Sequence, residues 1–101
     1  EHIMAFTLPL TLNGEQQSAA YIKATLACAD ATIVVIKLQV WTSQASRTNG
    51  GEPVPSNWLP TDFSELVQLT SNLDLANSNP VDYAYKLLEA SGLYPDATWN
   101  V

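Results

Sequence analysis

Hydrophobic alternation along the chain is strongest from Ile33 to Trp41, which reads Ile-Val-Val-Ile-Lys-Leu-Gln-Val-Trp. Val34, Ile36, Leu38 and Val40 form an unbroken apolar set, while Ile33, Val35 and Trp41 share the odd positions with Lys37 and Gln39. A period of two puts these sets on opposite faces, so the segment predicts a central strand with one buried and one half-covered face. From Met4 to Leu12, Phe6, Leu8, Leu10 and Leu12 oppose Thr7, Pro9 and Thr11, which predicts a first strand. Pro9 has no N–H to give a ladder, so that strand lies at an edge or pairs on one side only. Asn13-Gly14 signals a tight turn, and Glu15–Ser18 is a polar connection. Ala19–Cys28 is a second strand, with Ile22, Ala24, Leu26 and Cys28 in phase.

The register of the second and third strands follows from parity. Their apolar faces coincide only when paired residue numbers have an even sum, so the loop between them holds an odd number of residues. A three-residue loop, Ala29–Ala31, sets Lys23 opposite Lys37, an unfavourable like-charge pair. A loop from Ala29 to Ile33 sets Tyr21 against Trp41 and Thr25 against Lys37 instead, and is the expected arrangement.

After Trp41, Thr42–Arg47 reads as a short helical turn stopped by Thr48-Asn49-Gly50-Gly51. Pro53, Pro55 and Pro60 then forbid a helix interior or a central strand, leaving a long, extended loop from Thr48 to Thr61. Thr61 can cap a short helix carrying Phe63, Leu66 and Val67; a strand from Leu66 to Thr70 is the alternative. The last helix is better marked. Asn79 is its N-cap, Pro80 its first residue, Val81, Ala84, Tyr85 and Leu88 its apolar stripe, and Gly92 its C′ residue, with Leu93 expected against Leu88. The aromatic tail Tyr94–Val101 is irregular and is expected to dock on something. The order predicts an α+β domain: an antiparallel sheet of about three strands packed against a C-terminal helix, with a long Pro/Gly-rich loop.

Length fits this picture, since 101 residues make one domain, taken as residues 4–101 after Glu1-His2-Ile3, which read as residues ahead of a natural start at Met4. Charged residues are only 14% of the chain, which leaves a neutral surface of Ser, Thr, Asn and Gln. The net charge is −6, and the cations Lys23, Lys37, Arg47 and Lys86 are scattered in sequence, which argues against nucleic acid or an anionic membrane as partner. No apolar run reaches bilayer length, and the opening residues do not read as a secretory leader, so none is expected. Cys28 is the only cysteine, so no intramolecular disulfide forms.

Catalytic chemistry finds no constellation. With His2 ahead of the natural start, a Ser or Cys nucleophile lacks its base. Asp62 and Glu65, three apart on the expected helix, and Asp96 in the tail could pair as carboxylates but read as helix N-terminal acids and surface charge; Asp74, Asp82 and Asp96 have no metal-loop spacing, and Asn49-Gly50-Gly51 does not lead into a helix as a phosphate loop would. The expectation is therefore no enzyme, no metal and no cofactor. Trp41, Trp58 and Trp99 can pack a core, anchor a protein interface or stack on sugar rings. Too few elements remain to cover both sheet faces, so the odd face of the third strand is expected to meet another chain.

The stretch Ile36–Pro53, then Asp62-Phe63, then Asn79–Leu88 and the closing Asp96-Ala97-Thr98 resemble small virion-associated proteins of tailed bacteriophages. In these, a strand ending in an aromatic residue and Ser leads to an Ala-Arg turn, a Gly-x-Pro loop and a late Asn-Pro helix. This chain departs in its neutral surface and extra proline cluster. The resemblance implies a structural part of the virion, of the tail or its adhesion apparatus, assembled in the host cytoplasm from other virion proteins and copies of itself. The candidate interface residues are Val35, Trp41, Arg47, Trp58, Tyr94 and Trp99. Alternative expectations are a carbohydrate-binding module of an adhesion device, with Trp58 and Trp99 as stacking platforms, and a capsid decoration protein.

Overall fold

The computed structural model describes residues 5–30, 32–71 and 80–100. In chain order these form strands β1 (Ala5–Leu12), β2 (Glu15–Ala29) and β3 (Ile33–Trp41), helix α1 (Gln44–Thr48), a 3-10 turn (Ser56–Trp58), β4 (Leu66–Thr70), α2 (Pro80–Ser91) and β5 (Thr98–Asn100). The fold is α+β, built on one antiparallel sheet in the order β4-β3-β2-β1-β5. The sequence predicts about three strands and the sheet has five. The two additional strands are short edge strands that carry little periodic signal of their own.

The hairpin between β1 and β2 turns on Asn13 (φ 51) and Gly14 (φ 82), whose two positive φ values match the right-handed twist of the strands they join; Glu15–Ser18, expected as a polar connection, is strand, because a two-residue turn brings Glu15 directly opposite Leu12. Pro9 sits where the β1–β2 register shifts, between Leu8 opposite Ala20 and Leu10 opposite Gln17. β5 pairs only Ala5–Thr7, so β1 has strands on both sides and Pro9 lies past the reach of the second.

Between β2 and β3 the body of the ladder has Tyr21 opposite Trp41 and Thr25 opposite Lys37. The five-residue loop expected with this register is not present. A register shift between Leu26 and Cys28 changes the parity, so Ala29 faces Val34 and the turn is tighter. Asp30 builds that turn: its Oδ1 accepts from the N–H groups of Thr32 and Ile33, both at 2.8 Å. These bonds, the Ile33 N–H first and then Thr32, hold its carboxyl below the ordinary value of 3.8.

Of the two readings of this stretch, the short helix carrying Phe63, Leu66 and Val67 is absent and the alternative strand from Leu66 to Thr70 is present as β4. Val67 faces Ile36 and is buried, whereas Leu66 faces Lys37 and is exposed, an alternation with period two that a five-residue window barely displays. The free side of β3 supplies the partner that decides between the two states. Asn79, Leu73, Leu75, Met4 and Asp74 lie outside the described residues.

The core fills one face of the sheet. Phe6, Ile22, Ile36 and Leu38 from the strands meet Tyr83, Ala84, Tyr85, Leu87 and Leu88 of α2, and Val54, Leu59 and Phe63 of the long loop close over the rest. Val54 is tied down by its N–H to Val40 C=O at 2.7 Å. The Tyr85 hydroxyl accepts from Ala24 N–H at 2.8 Å, past the point where the described β1–β2 pairing ends at Phe6 and Ile22. At its C-terminus α2 ends before Gly92 (φ 72), the expected C′ residue, whose N–H donates to Glu89 C=O at 3.4 Å as in a Schellman ending, while a side-chain relay stands where its second bond and the Leu93–Leu88 contact were expected. Ser91 Oγ donates to Leu88 C=O at 2.6 Å and accepts from Leu93 N–H at 3.3 Å, leaving Leu93 half exposed.

Candidate assembly surface

The opposite face of the sheet carries the odd-numbered residues of β3 and their neighbours across the ladder. At one end it is closed. Tyr21 and Trp41 pack edge to face with ring centroids 6.3 Å apart, and with Ala5 they form a second small core. α1 covers this end because Ser43 caps it, accepting from Ser46 N–H at 3.1 Å. Arg47 then places its guanidinium 5.3 Å from the Trp41 ring centroid. The Trp41 indole N–H donates to Gly51 C=O at 2.8 Å. The approach needs glycine at 51, since a Cβ there would stand 2.7 Å from the Ser46 backbone oxygen. Trp41, expected as exposed apolar surface, is therefore shielded by its own chain and only 5% exposed.

Toward β4 the face is open. Val35 is half buried between Cys28 and Gln68, and Ile33 and Leu66 stand beside it at 41% and 58% exposure. Lys37 faces both Thr25 and Leu66, and Lys23 faces Gln39. Arg47 lies close enough to Lys23 to lower its pKa, after the larger effect of burial. Lys23, Lys37 and Arg47 are thus gathered on one side of a chain whose net charge is −6. Their scatter in sequence hides this. The signal was present in parity, because Lys23, Lys37 and Trp41 are all odd and share a face in an even-sum register.

The other candidate residues lie elsewhere. Trp58 is half buried, and its C=O accepts from Asn13 N–H at 2.9 Å, which fastens the long loop to the β1–β2 turn. Trp99 in β5 lies 4.4 Å from the Phe6 ring, and Tyr94 stacks on Phe6 at 5.6 Å and Phe63 at 6.2 Å. Burial raises the Tyr94 pKa. The tail docks on its own sheet. Trp58 and Trp99 stand at opposite ends of β1, roughly 20 Å apart along the strand, so they do not form one stacking platform. On the side of the β1–β5 edge opposite the Phe6–Trp99 ring pair, an open cleft of about 310 Å³ is lined with Thr7, Tyr21, Gln44 and Thr98.

Among the described residues, no group of three or more His, Cys, Asp or Glu is placed to hold a metal ion, and no helix is long and apolar enough to cross a membrane. Comparison with known protein families, curated proteins and solved structures finds no match.

Proposed function

We propose that this chain is a non-enzymatic structural subunit of a tailed-bacteriophage virion, a part of the tail assembled in the host cytoplasm from other virion proteins and copies of itself, without a cofactor. The resemblance in sequence suggests the setting. The observation that carries the assembly role is the half-open sheet face, where Ile33, Val35 and Leu66 stand open next to Lys37, with Lys23 and Arg47 farther along the same face toward Trp41. An apolar strip edged with cations suits a protein partner with acidic groups around an apolar centre, and the acidic balance of the chain leaves nucleic acid repelled elsewhere.

Mass spectrometry of particles purified from the phage that encodes the chain is the direct test. A fixed copy number per particle is expected, reduced several-fold for Lys37→Glu combined with Leu66→Asp in a protein that still folds. Absence of the chain from purified particles overturns the reading. The alternative of a glycan-binding module draws on the cleft at the β1–β5 edge. Glycan-array binding lost on Gln44→Ala, at the exposed lining of that cleft, and kept on Leu66→Asp would establish it in place of the assembly role.

A further inference from the structure

β4 is an edge strand whose outer side is arranged for another strand. Glu65 C=O accepts from Leu38 N–H at 2.7 Å, and Ser71 N–H donates to Thr32 C=O at 2.9 Å. With Ile36 opposite Val67, the residues Glu65, Val67, Leu69 and Ser71 turn their backbone groups toward β3, and Leu66, Gln68 and Thr70 turn theirs outward. Ser64 Oγ donates to Leu66 C=O at 2.7 Å. The three outward N–H groups and the C=O groups of Gln68 and Thr70 have no protein partner among the described residues. Natural edges are guarded by charge, proline, a bulge or brevity. β5, at the other edge, has only 3 residues. β4 reads Leu-Val-Gln-Leu-Thr, pairs with β3 without a register shift and carries no charge.

We propose that β4 pairs antiparallel with β4 of a second copy, across a two-fold axis through Gln68. This names one partner for the assembly role proposed above and rests on that reading. With the axis at Gln68, Leu66 faces Thr70 of the second copy and Gln68 faces its counterpart, so every outward residue of the strand is paired. Val67 faces Leu69, and Glu65 faces Ser71 of the second copy, so the acid does not oppose its own counterpart. The axis is perpendicular to the sheet and leaves both open faces on one side. Leu66 of each copy then lies on the seam of a continuous ten-stranded sheet, with Ile33 and Val35 one strand behind it on the same face. This explains why the apolar strip of each subunit lies against the β4 edge. A five-residue ladder is about 17 Å long, a contact smaller than a standard permanent interface. The dimer is therefore concentration-dependent and gains strength from repetition in an assembly.

Sedimentation equilibrium of the full chain over a concentration series is expected to show monomer and dimer. Gln68→Pro removes an outward N–H and no hydrogen bond to β3, a substitution that edge strands tolerate, and is expected to weaken association at least tenfold with an unchanged circular dichroism spectrum. In a Cys28→Ser background, Gln68→Cys is expected to oxidise to a covalent dimer, because paired Cα atoms at about 5.5 Å lie within disulfide reach. Thr70→Cys, about 13 Å from its counterpart, is not. A monomer at every concentration, or Thr70→Cys cross-linking as readily as Gln68→Cys, overturns the proposal. Association unchanged by Gln68→Pro overturns the β4 seam and leaves the assembly role standing. Absence from purified particles overturns that role and leaves the dimer measurement untouched.

Discussion

Tyr85 joins the helix to the sheet through a single hydroxyl. Its phenol is fully buried, and the group it serves, Ala24 N–H, belongs to a strand segment with no described β1 partner. Tyr85→Phe keeps the ring and strands that N–H, a loss expected to cost about 1–3 kcal/mol in denaturant unfolding. Burial raises the Tyr85 pKa above its ordinary 10.0, against the smaller lowering effect of the Ala24 bond. The neutral phenol is thus favoured in the fold. Its contribution is complete below pH 10.0 and is lost as pH rises through the folded-state value. The alkaline limb of stability against pH is expected to be flatter for Tyr85→Phe than for the natural chain, measured by urea midpoints. The sequence identifies Tyr85 as a helix-stripe residue but not as a hydrogen-bond acceptor, because its partner lies 61 positions away.

At the scale of elements, two glycines separate two costs. Gly14 has φ 82, and a Cβ there would meet nothing within 4 Å, so Gly14→Ala costs only the left-handed backbone conformation, about 1 kcal/mol. Gly51→Ala meets Ser46 at 2.7 Å and disturbs the carbonyl that holds the Trp41 indole, a crowding worth about 1–3 kcal/mol. Thermal unfolding is expected to rank Gly51→Ala below Gly14→Ala. Only Gly51→Ala is expected to red-shift the tryptophan emission, since it alone uncovers Trp41. Element prediction succeeds where local chemistry and pattern agree, as in the Asn13-Gly14 hairpin and the Pro80 helix start. It leaves two states open from Phe63 to Thr70, where apolar residues at helical spacing also fit a strand, and the free side of β3 selects the strand.

For the whole molecule, the tail closes the sheet. Trp99 covers Phe6 at 4.4 Å and brings β5 alongside β1. Trp99→Ala is expected to cost roughly 2–4 kcal/mol. In hydrogen exchange, the β1 amides bonded to β5 should lose protection while the β2–β3 ladder keeps its own, because that ladder lies on the far side of β1. A uniform loss of protection would instead mean that β5 belongs to one cooperative unit with the core. The candidate surface was half legible. Val35 was expected to be exposed and is partly so, whereas Trp41 was expected with it and is covered by α1 and Gly51. A short helix returning over its own strand leaves no periodic trace.

Sequence alone determined which residues share a face, since strand alternation depends only on parity, and like-charge avoidance between Lys23 and Lys37 was enough to select the Tyr21–Trp41 register. It also placed the hairpin turn and the last helix, whose end signals are local. Tertiary structure decided the rest: the tight Asp30 turn made by a register shift, the capture of β4 and β5 as edges, the covering of Trp41, and the gathering of Lys23, Lys37 and Arg47 on one face. Each depends on contacts between segments distant in the chain, whose free energy appears only when the sheet is assembled.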